Sequence, residues 1–263
     1  VLTSIYNALR SSQSSSPYYN KSTDAYCYIG TEKPNHDVVI VGWDDSYSKD
    51  NFNTDLEGDG AFICQNSWGD NFGENGFFYI SYYDTNIGTH NVVYTDIENT
   101  DNYDHIYQSD LCGWVGQLGY NKDSIYGANV FTAEGNETLK AASFYATGKD
   151  SQYELYVVRQ FEDETSLEKM IPVASGKLGN AGYYTVDFNQ GIEVDAGERY
   201  AVVLYIITPG SVHPMALEYP ADEATENVDL DDGESYISAN GSKWVSVDTV
   251  EKSNLCIKAF SDN

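Results

Sequence analysis

Basic residues are scarce in this 263-residue sequence: 14 Lys and Arg stand against 41 Asp and Glu, for a formal net charge of -27. No basic stripe exists to displace counterions, which argues against nucleic acid or an anionic membrane surface as a partner. Long apolar runs are also missing. No stretch approaches the roughly 18 residues that a membrane-spanning helix needs, so no membrane span is expected. Cysteine is sparse: Cys27, Cys64, Cys112 and Cys256 form no C-x-x-C pair, which excludes zinc-ribbon and thioredoxin-type readings. Their density is too low for a disulfide scaffold, and their redox state stays open. The start lacks a Met, a charged leader and a signal-type apolar segment. Val1-Leu2-Thr3-Ser4-Ile5-Tyr6 already reads as a strand, so the expectation is a piece of a longer chain.

What is present suits a folded molecule. An apolar fraction of 41%, with 14% aromatic residues, can build a core. Strands are expected over 1–8, 37–43, 60–65 and 76–83, separated by Gly, Asn and Asp-rich loops. The polar stretch 98–105 is expected to be a linker between a first unit, 1–97, and a second, 106–263. Beyond it, alternation dominates over 141–146, 153–158, 183–188 and 199–206, with shorter strands at 235–238, 244–247 and 255–260. Many short strands punctuated by glycine, with no long helical period and no internal repeat, predict a mainly β chain whose second unit is an antiparallel, jelly-roll-like sandwich.

Two segments of the first unit carry a chemical pattern. One is Asn35-His36-Asp37-Val38-Val39-Ile40-Val41-Gly42-Trp43; the other is Cys64-Gln65-Asn66-Ser67-Trp68-Gly69, followed by Asn71-Phe72-Gly73-Glu74-Asn75-Gly76-Phe77-Phe78. In order, spacing and strand context they resemble the His and Asn segments of the papain-like cysteine peptidases, N-H-A-V-x-x-V-G-[YW] and K-N-S-W-G-x-x-[WF]-G-E-x-G-[YF]. The resemblance covers residues 1–85, about a third of the chain. It implies that 1–97 is the β-rich C-terminal half of an α+β peptidase domain. It also implies a cysteine peptidase in which His36 is the base and Asn66 the residue that orients it. A thiol needs a neighbouring base that is stabilised once it becomes imidazolium. The carboxamide oxygen of Asn66 could hold the second ring nitrogen of His36, while Trp68 shields that contact from water. Asn35 is the supporting neighbour of His36. The other histidines, His90, His105 and His213, read as structural residues.

The nucleophile departs from the family pattern. Its Q-x-x-x-C-[GW]-[SA]-C-W segment, with the oxyanion-hole Gln, lies far upstream of the His and is not found here. Cys27 sits only nine positions before His36 without helix-start signals, Cys64 reads as a core thiol, and Cys112 falls beyond the expected linker. Either the nucleophile precedes Val1 in a longer chain or the protein is an inactive relative; the strand interrupted at Val1 favours the former. By itself the chain is therefore expected not to hydrolyse peptides, and to expose apolar surface around Val38, Ile40 and Phe62. Asp37, where the family carries Ala, is a candidate substrate-pocket carboxylate that would favour a basic side chain.

No cofactor or metal is expected. The acidic stretches 44–60 and 221–234 read as solvated loops, the first failing the EF-hand pattern where Asn66 stands in place of the closing Glu. The second unit resembles the lectin-like accessory domains of some extracellular bacterial cysteine peptidases. The resemblance implies a cell-surface or extracellular setting, a peptide or protein substrate, and a glycan or surface ligand on the sandwich. The rival reading is an inactive adhesion protein that works through the sandwich. Trp114, Tyr219 and Trp244 are candidate surface aromatics there.

Overall fold

The alternating apolar pattern becomes sheet throughout. The computed structural model describes every residue except Glu251, and the chain divides into two compact units, Val1–Glu98 and Asn99–Asn263.

The first unit holds β1 (Leu2–Ile5), β2 (Tyr19–Asn20), β3 (Ala25–Tyr26), β4 (His36–Asp44), β5 (Ala61–Gln65), β6 (Phe77–Ser81) and β7 (Thr89–Val92). They form one seven-stranded sheet in the order β2-β3-β6-β5-β4-β1-β7, in which β3 and β6 run parallel. Ile5, Tyr26, Val38, Cys64, Phe78 and Ile80 pack on its buried face with Phe72. The long β4–β5 connection anchors itself through Phe52 and Leu56, which are buried beside Ala25, Cys27 and Ala61. Its carboxylates cap its own backbone: Asp44 accepts from Ser46, and Asp59 from the Lys49 amide at 2.9 Å.

One expectation about this sheet is corrected. The exposed apolar side chains of β4 are Val39, Val41 and, beyond a bulge between Ile40 and Gly42, Trp43, whereas Val38 is buried and Ile40 and Phe62 are half-buried. Side chains alternate along a strand, so a phase error of one residue exchanges the two faces.

The second unit contains β8 (His105–Tyr107), β9 (Gly116–Leu118), β10 (Ser124–Thr132), β11 (Glu137–Ala146), β12 (Ser151–Val158), β13 (Ile171–Leu178) and β14 (Gly182–Val194). It continues with β15 (Arg199–Ile207), β16 (Met215–Glu218), β17 (Ser235–Ser238), β18 (Val245–Ser246), β19 (Asn254–Leu255) and β20 (Ile257–Asp262). A six-stranded sheet, β13-β12-β15-β10-β17-β18, and a four-stranded sheet, β14-β11-β20-β8, are joined by a three-stranded one, β19-β16-β9. Leu155, Val202, Leu204 and Ile206 of the first meet Leu139, Phe144, Ile257 and Ala259 of the second in one core. This is a β-sandwich with antiparallel pairing and crossed connections.

Strand β10, central in its sheet, has no counterpart among the expected strands, because Gly127 and Asn129 break its alternation. Both residues are required by packing. A Cβ at Gly127 would collide with the Met215 side chain. Buried Asn129 donates to the Leu255 and Ile257 carbonyls at 2.9 and 2.8 Å and accepts from Ser235 Oγ at 2.7 Å. It thereby satisfies polar groups where the last strand breaks at Cys256.

Candidate active site

Strand register brings the two signature segments together. β4 and β5 are antiparallel with Val39 opposite Gln65. The same register, continued three residues past the strand end, carries His36 to the level of Trp68. His36 Nε2 lies 3.0 Å from Asn66 Oδ1. A carboxamide oxygen only accepts, so Nε2 carries the proton and the Nδ1 lone pair is left for another partner.

The surroundings hold this pair in place. Asn66 is buried, and its backbone amide donates to the Gly76 carbonyl at 3.0 Å. The Trp68 ring lies 5.3 Å from the imidazole, centroid to centroid, tilted by 39°. Beneath it Phe72, fully buried, meets Trp68 and Phe78 edge-on and stacks on Tyr19. Phe72 is only a letter in the motif; its place as the wedge under the indole becomes visible in the packing. The turn that returns the chain beneath Trp68 depends on Gly73, whose φ is 56° and whose missing Cβ would fall on the Phe77 carbonyl oxygen.

The other site residues act at a distance from the ring. Asn35 accepts from the Asn7 amide at 2.7 Å and donates to the Asn7 carbonyl, clamping the chain that leaves β1 to the residue before His36. It makes no contact with the imidazole among the described residues. Asp37 is exposed and accepts a 2.7 Å hydrogen bond from Ser4 Oγ, its cross-strand partner on β1. Ser4 gave no functional signal in the sequence.

The thiols divide by environment. Cys27 and Cys64 are fully buried, and burial pushes each up to about 12. Cys256 is buried and pushed up further by the same cause. Cys112 is exposed and belongs to the second unit. None of the three buried thiols can supply a thiolate near neutral pH.

Among the described residues no group of three or more His, Cys, Asp or Glu side chains is gathered as a metal centre. The 221–234 loop is less free than its composition implies. The Asn254 amide nitrogen draws in the Asp229 carbonyl, Asp232, Glu218 and the Ser109 carbonyl at 2.8–3.3 Å, tying the acidic end of that loop to the core.

Residues 106–261 match the family described as Lectin like domain. The chain belongs to that family. Residues 4–97 match the Papain family cysteine protease family, so the His36–Asn66 pair lies in a papain-family segment. Two solved structures resemble the whole chain. One is the clostridial cysteine protease Cwp84 after propeptide cleavage, 27% identical with a TM-score of 0.82, covering 100% of this chain and 65% of that one. The other contains the cysteine protease and lectin-like domains of Cwp84, a surface layer associated protein of Clostridium difficile; it is 26% identical with a TM-score of 0.77, covering 100% of this chain and 58% of that one. No curated protein sequence matches the chain.

The aromatic candidates of the lectin-like unit are half-buried, each with a neighbour in the fold. Trp114 lies 5.8 Å from Tyr145, Tyr219 packs on the core, and Trp244 meets Tyr126 edge-on at 6.2 Å.

Proposed function

We propose that the papain-family segment contributes the base and its orienting amide to a Cys-His-Asn cysteine endopeptidase whose nucleophilic thiol lies outside these residues. The lectin-like unit would act as its ligand-binding module at the cell surface, the setting in which Cwp84 is described. The observation that carries the reading is the 3.0 Å contact between His36 Nε2 and Asn66 Oδ1 beneath Trp68. It leaves Nδ1 to take a proton from a thiol and later return it to the leaving amine. A neutral amide orients the ring and stabilises the imidazolium without adding negative charge.

The test is thiol-dependent peptide hydrolysis by the full-length gene product. His36→Ala should lower kcat/KM by about four orders of magnitude or more. Asn66→Ala should lower it by roughly ten- to a hundredfold, the worth of a charge-assisted hydrogen bond. The 263-residue chain alone should show no turnover. Full activity in the His36→Ala variant would overturn the proposal, and a full-length product without turnover would favour a pure binding protein.

A further inference from the structure

The six-stranded sheet of the lectin-like unit has a second, outward face. Over part of it the 159–170 connection forms a roof, burying Phe161 and Leu167 against Ala128, Val130, Val158, Ala201 and Val203. Beyond that roof the face is open at its β12 and β13 end, where Glu154 and Ser175 are exposed. Cross-strand pairing sets Ser175, Glu154, Tyr205, Tyr126 and Ser238 in one row across β13, β12, β15, β10 and β17. With strands about 4.8 Å apart, the row is roughly 19 Å long.

Tyr205 organises this row. One face of its ring stacks on Tyr126, with centroids 4.2 Å apart and planes within 22°. The Tyr205 side chain also lines a surface depression of about 270 Å³, together with Gln152, Glu154, Ser175, Lys177 and Ile207. Tyr126 is immobilised in turn, with Trp244 at its edge and Gly241 so close that a Cβ there would touch the ring. The wall is therefore rigid before any ligand arrives. Glu154 accepts a hydrogen bond from the Tyr156 hydroxyl. Gln152, Ser175 and Lys177 are all exposed at the rim.

We infer that this depression is the glycan-binding site of the lectin-like unit and that it takes one end of a neutral pyranoside oligosaccharide, with a sugar ring stacked on Tyr205. The inference rests on the reading of this unit as a ligand-binding module. A pyranose presents an apolar C–H face and a rim of hydroxyls, so it needs one flat aromatic wall and several convergent donors and acceptors. Here the wall is Tyr205, and the polar groups are the Gln152 amide, the Glu154 carboxylate, the Ser175 hydroxyl and the Lys177 ammonium. The depression lies at the lower end of small-ligand pockets, which suits a ring or two rather than a protein surface. A polyanionic glycan is disfavoured, because the chain carries a net charge of -27.

The test is calorimetric titration of the 263-residue chain with maltotetraose, cellotetraose, mannotetraose and chitotetraose, and with polygalacturonate as the acidic counterpart. At least one neutral probe should bind. Tyr205→Ala, and Ser175→Trp, which fills the depression from an exposed position, should each weaken that binding roughly tenfold or more. Trp114→Ala should leave it within about twofold of wild type. Should Tyr205→Ala lower the melting temperature, Ser175→Trp decides the matter alone. Undiminished binding in the Ser175→Trp variant would overturn the site while sparing the ligand-binding reading. Binding of polygalacturonate alone would overturn the ligand class, and binding of no probe would remove both the site and the reading beneath it.

Discussion

The thiols of the chain occupy contrasting environments, and their reactivity should follow. Cys27 and Cys64 have no exposed surface and are held up to about 12 by burial, whereas Cys112 is exposed. Iodoacetamide at mildly alkaline pH should therefore label Cys112 in the folded chain and all four cysteines only in denaturant, as read by mass spectrometry; native labelling of Cys64 would contradict the burial. The same shift fixes a sign for stability. The folded thiols bind protons more tightly than the unfolded ones, whose ordinary value is 9.0. Their contribution is fully present below pH 9.0 and is lost as the pH rises toward about 12. Denaturant midpoints should fall across that window. Asp37 makes a separate residue-scale prediction. If the proposed peptidase reading holds, Asp37, exposed next to His36 in the chain and fixed by Ser4, would favour Arg over Leu in the substrate, and Asp37→Ala in the full-length product should reduce that preference roughly two- to fivefold. An unchanged Arg-to-Leu ratio would remove Asp37 from specificity.

At the scale of elements, the site is a consequence of register. Pairing Val39 with Gln65 places the imidazole and the carboxamide on one side of the β4–β5 hairpin although thirty residues separate them. A slip of one residue would turn the two side chains to opposite faces. In the sandwich, the equivalent pin is Asn129 on β10. Its three hydrogen bonds join β10 to β17 and to both sides of the break between β19 and β20. Asn129→Ala leaves two carbonyls and a hydroxyl without that partner in the core. The expected cost is about 3 kcal/mol, measured as a lower urea midpoint at constant slope. A loss below about 0.5 kcal/mol would show that other groups take over those bonds. The motif made the His36–Asn66 pair legible because the spacing and the turn glycines are local signals. The depression around Tyr205 was not legible, because Tyr205 lies in a strand that reads as core and its partners come from β12 and β13, tens of residues away.

For the whole molecule, charge is the strongest influence. A net charge of -27 distributes self-repulsion over the surface. The ion pairs that salt would weaken are few, and most involve exposed groups, such as Lys140–Asp262 and Lys252–Asp231. Repulsion should therefore win. Raising sodium chloride from low to physiological ionic strength should raise Tm by about 2–4 °C, equivalent to roughly 1 kcal/mol. A falling Tm would mean that local attraction outweighs the net field. The same charge should disfavour anionic polymers as partners, in line with the neutral ligand inferred for the sandwich.

Composition and alternation were enough to determine a mainly β chain with a sandwich as its second unit, and the resemblance of the two motif segments implied a papain-like first unit and the pairing of His36 with Asn66. These properties are encoded by neighbours in sequence: a period of two, turn residues at fixed offsets, and a signature whose parts lie on one hairpin. Only the tertiary structure decided that Val39, Val41 and Trp43 are exposed in place of Val38, Ile40 and Phe62. It alone showed that Gly127 and Asn129 belong to a central strand, and that Tyr205 lines a surface depression. The physical reason is the same in each case. Which face of a strand is buried depends on what the rest of the chain lays across it, and that is decided by contacts between residues far apart in sequence.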